Sequence, residues 1–391
     1  MPDVLLKKRI ESIDLLKGLV MVIMALDHVR DYFHYDAYLF NPVDPIKSNL
    51  PVFFTRWITH YCAPTFCFLA GLSAYMSGRK KPKADLSVFL VKRGIWLVLL
   101  ELTIVTFGWQ FDPYFRMNGF AVIATLGFSM IILAGLIHLP RTILLVFCCL
   151  LIFGHNLLDT VQMPGNFLWA FFHQAAVFKF AGGFKFYLDY PLIPWIAVMP
   201  LGYCFGHYYR EGYDSSSRKK LFTFLGFAAI SLFMLIRWLN VYGDPAPWVQ
   251  LDTVPQTIMS FLNLNKYPPS LLYLLVTLGT VLVLLGNSEH LTGRSIRFFT
   301  TFGRVPFFYY LIHLYLIHTL AALIANLSGY GWKLLVLPDW ILEIPSMKGY
   351  GFSLSFVYLV WVCVIAIAYP LCGWYDRYKT NNKGNWMLSY L

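Results

Sequence analysis

A chain of 391 residues that is 58% hydrophobic and only 13% charged lies outside the range of water-soluble domains, which carry about 25% charge. Its net charge of +11 does not mark a nucleic-acid binder. The lysines and arginines sit between apolar runs, as they do in the cytoplasmic loops of membrane proteins, and not along one face. The runs are about 20 residues long and evenly apolar, which excludes the short alternating strands of an outer-membrane barrel.

In chain order the hydrophobic pattern predicts ten spans, at 12–32, 52–77, 88–110, 119–137, 142–159, 191–209, 221–240, 269–286, 305–326 and 353–373. The expected fold is an all-α polytopic membrane protein, a bundle of about ten transmembrane helices forming one domain over 1–391. With the N-terminus inside, the basic loops at 78–87 and 210–220 are cytoplasmic, along with most of the 31 lysines and arginines. Both termini then lie in the cytoplasm. Lys7, Lys8 and Arg9 precede the first run without a small-residue cleavage site, so that run reads as a retained anchor. The outer connections (33–51, 160–190, 241–268 and 327–352) are longer and rich in Pro and aromatics, and segment 166–190 reads as interfacial or re-entrant. The seven cysteines all fall in apolar segments without metal-ligand spacing, and read as small buried hydrophobes.

Ionisable groups within the spans are the functional candidates, because each costs a few kcal/mol unless it faces the bundle interior or water. The first span, SIDLLKGLVMVIMALDHVRDYF, holds Asp14 and Lys17 near its start and Asp27, His28, Arg30 and Asp31 near its end. At about 100° per residue, Asp14, Lys17, His28, Asp31 and Tyr32 share one face, while Asp27 and Arg30 point away and pair as i, i+3 neighbours. Lys17 and His28 are about 16 Å apart along the axis. An amine at the cytoplasmic end suits a phosphate-bearing ligand, an imidazole at the outer end suits proton transfer, and Met21 and Met24 between them suit a tunnel wall. A snorkelling Lys17 and an interfacial His28 are the structural alternative.

The second span places Arg56 and His60 on one face at the depth of His28, with an Arg56–Asp31 pair as the structural reading. Gly71 and Ala74 further along it suit close helix packing. The third span carries Glu101 at mid-depth, which calls for a partner such as Arg93 or His313. The ninth places Arg304 at the cytoplasmic mouth and brings Tyr310 and His313 together as i, i+3 neighbours. His155, Asn156 and Asp159 end the fifth span near the outer vestibule. No zincin, nucleophile-elbow, Walker or dinucleotide motif is present.

The blocks RIESIDLLKGLVMVIMALDHVRDYF, FFTRWITHYCAPTFCFLAGLSAYMSG and FGRVPFFYYLIHLYLIH resemble bacterial membrane proteins related to heparan-alpha-glucosaminide N-acetyltransferase. That group is broadly similar to the acyltransferase-3 membrane O-acyltransferases. The latter carry a basic residue, ten residues and then His on the first helix, a spacing matched here by Lys17 and His28, with Lys in place of the usual Arg. The lysosomal branch has its catalytic His after helix 1, where His34 is the comparable residue. The resemblance thus implies His28, then His60, then His34 as the catalytic candidate.

The resemblance also implies transfer of an acetyl group from cytoplasmic acetyl-CoA, through the bundle, to a hydroxyl or amine of a sugar or glycan acceptor on the other side of the bacterial inner membrane. The expected partners are acetyl-CoA, that acceptor, the bilayer and a second copy of the chain, with no nucleic acid and no metal. On this reading His28 is the base, Asp31 orients it, and Arg56 or His60 stabilises the oxyanion. Asp14, Lys17, Arg93, Arg304, Tyr310 and His313 are the expected substrate-binding residues. The competing reading is a proton-coupled transporter that uses His28, Glu101 and His313 as a relay.

Overall fold

The computed structural model describes residues 11–79, 81–382, 384, 385 and 388. The basic residues at 7–9 and, in the C-terminal tail, residues 383, 386, 387 and 389–391, on which the expected topology partly rests, lie outside the described residues.

The first span is a single helix, α1 (Glu11–Phe33), and it is buried along almost its whole length. The second is broken into α2 (Leu50–Trp57), a 3₁₀ turn (Ile58–Tyr61) and α3 (Cys62–Gly78). The third is α4 (Lys83–Leu100), a π-helical turn (Glu101–Val105) and the short α5 (Thr106–Gln110). Next come β1 (Met117–Phe120), α6 (Val122–Leu136), α7 (Arg141–Gly154) and α8 (Phe167–Phe172). Strands β2 (Ala176–Lys179) and β3 (Lys185–Leu188) precede α9 (Trp195–Gly206) and α10 (Ser215–Leu239). The chain continues through α11 (Val254–Leu262), α12 (Leu271–Asn287), α13 (Arg294–Arg304), α14 (Pro306–Leu327) and α15 (Leu354–Asn381).

The architecture is predominantly helical, with one correction. Segment 166–190 forms α8 and two strands, and β3 pairs parallel with β1 and antiparallel with β2. The runs AVFK and KFYL have the β-branched and aromatic character of strands, and Gly182 and Gly183 between them take the positive φ that closes the connection.

By length and apolarity, four helical stretches qualify as complete membrane spans among the described residues: Arg141–Thr160, α10, α14 and α15. The shorter apolar helices α6 and α12 accompany them. The other expected spans are interrupted, short or, like α1, charged. Helix α10 turns Phe224, Phe227, Leu235 and Trp238 outward, α7 turns out Val146 and Leu150, and α15 turns out Leu359 and Val362. These exposed apolar faces suit contact with lipid. Cys149 and Cys363 lie on them too, so two of the seven cysteines are exposed, not buried.

Small residues let the helices touch. A side chain at Gly18 of α1 would overlap the Phe299 carbonyl of α13, and one at Gly303 would overlap the Asp14 carbonyl. The α3–α9 crossing repeats this, with Gly71 against Met199 and Gly202 against Phe68. The expected packing role of Gly71 is therefore met, by the backbone-to-backbone approach typical of membrane helices. Helices α13, α14, α15 and α3 all pack against α1.

Candidate active site

A cavity of about 710 Å³ runs beside α1. Lys17, Ser77, Phe89 and Arg93 line one end, and Asp27, His28, Arg30, Asp31, Arg56 and Lys266 line the other. Met21, Met24, Leu97 and Met130 form apolar wall between them. From Lys17 to Asp31 the helix rises about 21 Å. The tunnel face expected on α1 is present, but it is wider than periodicity implied. Asp27 and Arg30 also line the cavity, and Asp27 pairs there with Arg56 of α2.

His28 and His313 meet across α1 and α14, with His28 Nδ1 2.9 Å from His313 Nε2. Hydrogen-bond logic assigns both tautomers. His313 Nδ1 lies 2.9 Å from the Tyr309 carbonyl, which can only accept, so this nitrogen carries the proton. With a neutral ring, His313 Nε2 then accepts, and His28 Nδ1 donates to it. His28 Nε2 is left as a lone-pair acceptor with no hydrogen bond to any described residue, on a side chain that lines the cavity. Trp109 packs edge-on against the His28 ring at 4.6 Å.

Two expectations about this end are corrected. Asp31 does not orient His28; its carboxylate accepts from Arg30 at 2.6 Å, while the imidazole turns to α14. Arg56 pairs with Asp27, not with Asp31. Asp27 also accepts from Arg30 at 2.5 Å, as the i, i+3 spacing predicts. The Arg30 side chain is 1% exposed and that of Arg56 is 17% exposed. Only Arg56 therefore keeps much surface towards the cavity, and its other arm donates to the Tyr267 hydroxyl at 3.1 Å. Burial acts to raise the Tyr267 pKa, but the Lys266 and Arg56 charges outweigh it and lower the value.

His60 is absent from the cavity wall. The 3₁₀ turn rotates it towards α12, where its ring lies 5.4 Å from that of Tyr273 and its carbonyl accepts from the Tyr273 hydroxyl at 2.6 Å. His34 is also outside the wall. Its Nδ1 accepts from the Asp36 backbone N–H at 3.2 Å and caps the next 3₁₀ turn. Burial and then the Arg30 charge push its pKa down to about 4. His155 bonds to the carbonyls of Ile152 and Pro269, and Asn156 donates to Asp159, so this group braces loops away from the cavity.

At the opposite end Lys17 Nζ donates to Ser73 Oγ at 2.9 Å, and Arg93 lines the wall. Asp14 and Arg304 do not line it. Asp14 lies at the α1–α13 crossing, and Arg304 is 3.4 Å from Asp376 of α15. Tyr310 lines the cavity and packs edge-on against His313 at 5.6 Å. Glu101 lines it too, but neither Arg93 nor His313 is its partner: its carboxylate accepts from the backbone N–H groups of Ile123 and Ala124 at 2.8 and 3.0 Å. It thereby satisfies donors left open at the start of α6.

Sequence reasoning missed Trp109, Asp189, Tyr190, Lys266, Tyr267 and Asp339, all of which line the cavity. Most of them lie in the long connections at 160–190, 241–268 and 327–352, where the only signal was a richness in aromatics.

No curated protein matches this chain. A family model described as heparan-alpha-glucosaminide N-acetyltransferase, catalytic, matches residues 9–242. That range spans more than half of the chain and holds Lys17, His28, Arg56, Arg93 and Glu101. The chain therefore belongs to the heparan-alpha-glucosaminide N-acetyltransferase catalytic family, as a membrane-bound acyltransferase.

Proposed function

We propose that this protein transfers acetyl groups from acetyl-CoA on the cytoplasmic side to a hydroxyl or amine of a sugar-type acceptor on the other side of the bacterial plasma membrane. The observation that carries this reading is the continuous cavity from Lys17 and Arg93 to His28 and Arg56. Its volume is in the range of small-molecule sites. Its two ends suit the two substrates: cations for phosphates at one, and a base with a neighbouring guanidinium at the other.

Lys17 and Arg93 hold the phosphate-bearing part of the donor, and the apolar wall at Met21, Met24 and Leu97 takes the pantetheine arm. His28 Nε2 accepts the proton of the acceptor O–H or N–H as the acceptor atom bonds to the thioester carbonyl carbon. Arg56 stabilises the negative charge that develops on the carbonyl oxygen. The C–S bond then breaks, and the coenzyme leaves as its thiol with the proton that His28 held. Through its bond to the Tyr309 carbonyl, His313 holds His28 in the tautomer this step needs. Tyr310 braces His313.

His28–His313 also joins the matched region to α14, so we read the chain as one catalytic domain. Family membership does not favour a proton-coupled transporter, and Glu101 is committed to backbone donors.

The test is acetyl-CoA binding and acetyl transfer in purified, folded protein, with a panel of sugars as acceptors. His28→Ala is expected to bind acetyl-CoA normally and to lose transfer by roughly 100-fold, the scale of a positioned general base. The Lys17→Ala/Arg93→Ala double variant is expected to weaken donor binding more than it slows turnover at saturating donor. Wild-type transfer rates in folded His28→Ala would overturn the assignment of the base.

A further inference from the structure

Five carboxylates line the cavity: Asp27, Asp31, Glu101, Asp189 and Asp339. Four are bonded within the protein. Asp27 and Asp31 bond to arginines, Glu101 to backbone N–H groups, and Asp339 to Lys185 and the Tyr187 hydroxyl. Asp189 alone makes no hydrogen bond or ion pair to any described residue.

Its position follows from the sheet. The β1–β3 register sets Phe120 opposite Leu188. Ala121 and Asp189 therefore leave the sheet side by side, next to the start of α6 where Glu101 is held. Burial without a counter-charge pushes the Asp189 pKa up to about 6. An unpaired carboxylate in such a place weakens the fold unless a ligand uses it. The next residue, Tyr190, lines the cavity and packs edge-on against Tyr267 at 5.0 Å, and Tyr267 in turn bonds to Arg56. Aromatic wall thus extends from Asp189 to the guanidinium assigned to the reaction.

We propose that Asp189 binds the acceptor by accepting hydrogen bonds from neighbouring hydroxyls of a sugar ring packed on Tyr190 and Tyr267. These hydroxyls are not the group that is acetylated. A carboxylate beside a reacting amine would hold it protonated and oppose transfer. Asp189 is therefore a specificity residue for the non-reacting part of the ring. This inference rests on the acetyltransferase reading above.

The test uses the full-length protein in nanodiscs with acetyl-CoA and two amine acceptors: glucosamine, which carries ring hydroxyls, and cyclohexylamine, which carries none. Asp189→Ala is expected to raise the KM for glucosamine about tenfold or more. Its kcat, its KM for acetyl-CoA and its use of cyclohexylamine should stay within about twofold of wild type. Asp189→Asn, which keeps an oxygen acceptor, should fall between. An unchanged glucosamine KM, or an equal loss with both amines, would overturn the proposal.

Binding of methyl glucoside, measured by titration calorimetry, probes the subsite without chemistry. It should weaken about tenfold in Asp189→Ala, and equal affinity in wild type and variant would overturn the proposal. A wild type that binds methyl glucoside through Asp189 but transfers no acetyl group would sink the acetyltransferase reading alone.

Discussion

The chemistry proposed for His28 depends on a partner 285 positions away in the chain. An isolated imidazole exchanges tautomers freely. Here the Tyr309 carbonyl sets the His313 proton, His313 sets the His28 proton, and the lone pair of His28 Nε2 is left without a hydrogen bond to any described residue. Asp189 is the other residue whose state matters, and its effect on stability has a definite sign. Its pKa in the folded protein is about 6, above the roughly 3.9 of an unfolded chain. The folded state therefore holds more protons between these values, and stability falls as pH rises from about 4 through 6. Asp189→Asn is expected to raise the melting temperature at pH 7.5 and to leave it unchanged near pH 4. Thermal unfolding of both proteins at the two pH values checks this. A lower melting temperature for the variant at pH 7.5 would mean that the carboxylate is already well satisfied. A stabilising change that impairs acceptor binding is the trade expected of a functional group held at a cost to the fold.

At the level of elements, the site depends on departures from regular helix. The 3₁₀ turn between α2 and α3 carries His60 out of the cavity wall and leaves Arg56 in it. The π-helical turn after α4 starts at Glu101, and its wider ring of hydrogen bonds goes with an inward side chain at a cavity, as π-bulges often do. Glu101 then anchors α6 by its first N–H groups. Removing it with Glu101→Ala would leave two buried donors open, at a cost of about 1–3 kcal/mol for each. The expected result is a clear loss of thermal stability. Glu101→Gln, which keeps one acceptor oxygen, should lose less and retain transfer. If Glu101→Gln keeps full stability but abolishes transfer, Glu101 belongs to the chemistry and not to the anchor.

Across the whole molecule, function depends on which end of the cavity faces the cytoplasm. The proposed donor site at Lys17 and Arg93 needs the loop containing Lys81 inside and the connection containing Lys47 outside. Both lysines are exposed. In a background with Cys149 and Cys363 changed to Ser, a membrane-impermeant thiol reagent added to whole cells should label a cysteine placed at Lys47 and spare one at Lys81. The reverse pattern would invert the orientation and remove access of cytoplasmic acetyl-CoA to Lys17.

Composition and apolar run length alone determined that this is a helical membrane protein, because both are properties of the chain that no packing changes. Helical periodicity placed Lys17, His28 and Asp31 along one face of α1, and Gly71 at a close crossing. Only the tertiary structure decided which groups pair. Asp27 and Asp31 lie four residues apart and are chemically alike, so nothing local selects Asp27 for Arg56 or turns His28 to His313 and away from Asp31. That choice follows from how α2 and α14 dock on α1. Lys266, Tyr267 and Asp189 were illegible for a related reason. They lie in connections without a repeating pattern, and they reach the cavity only through strand register and loop packing, which are long-range contacts. The small sheet was hidden as well, because its strands are four residues long and its parallel β1–β3 pairing joins segments almost 70 residues apart.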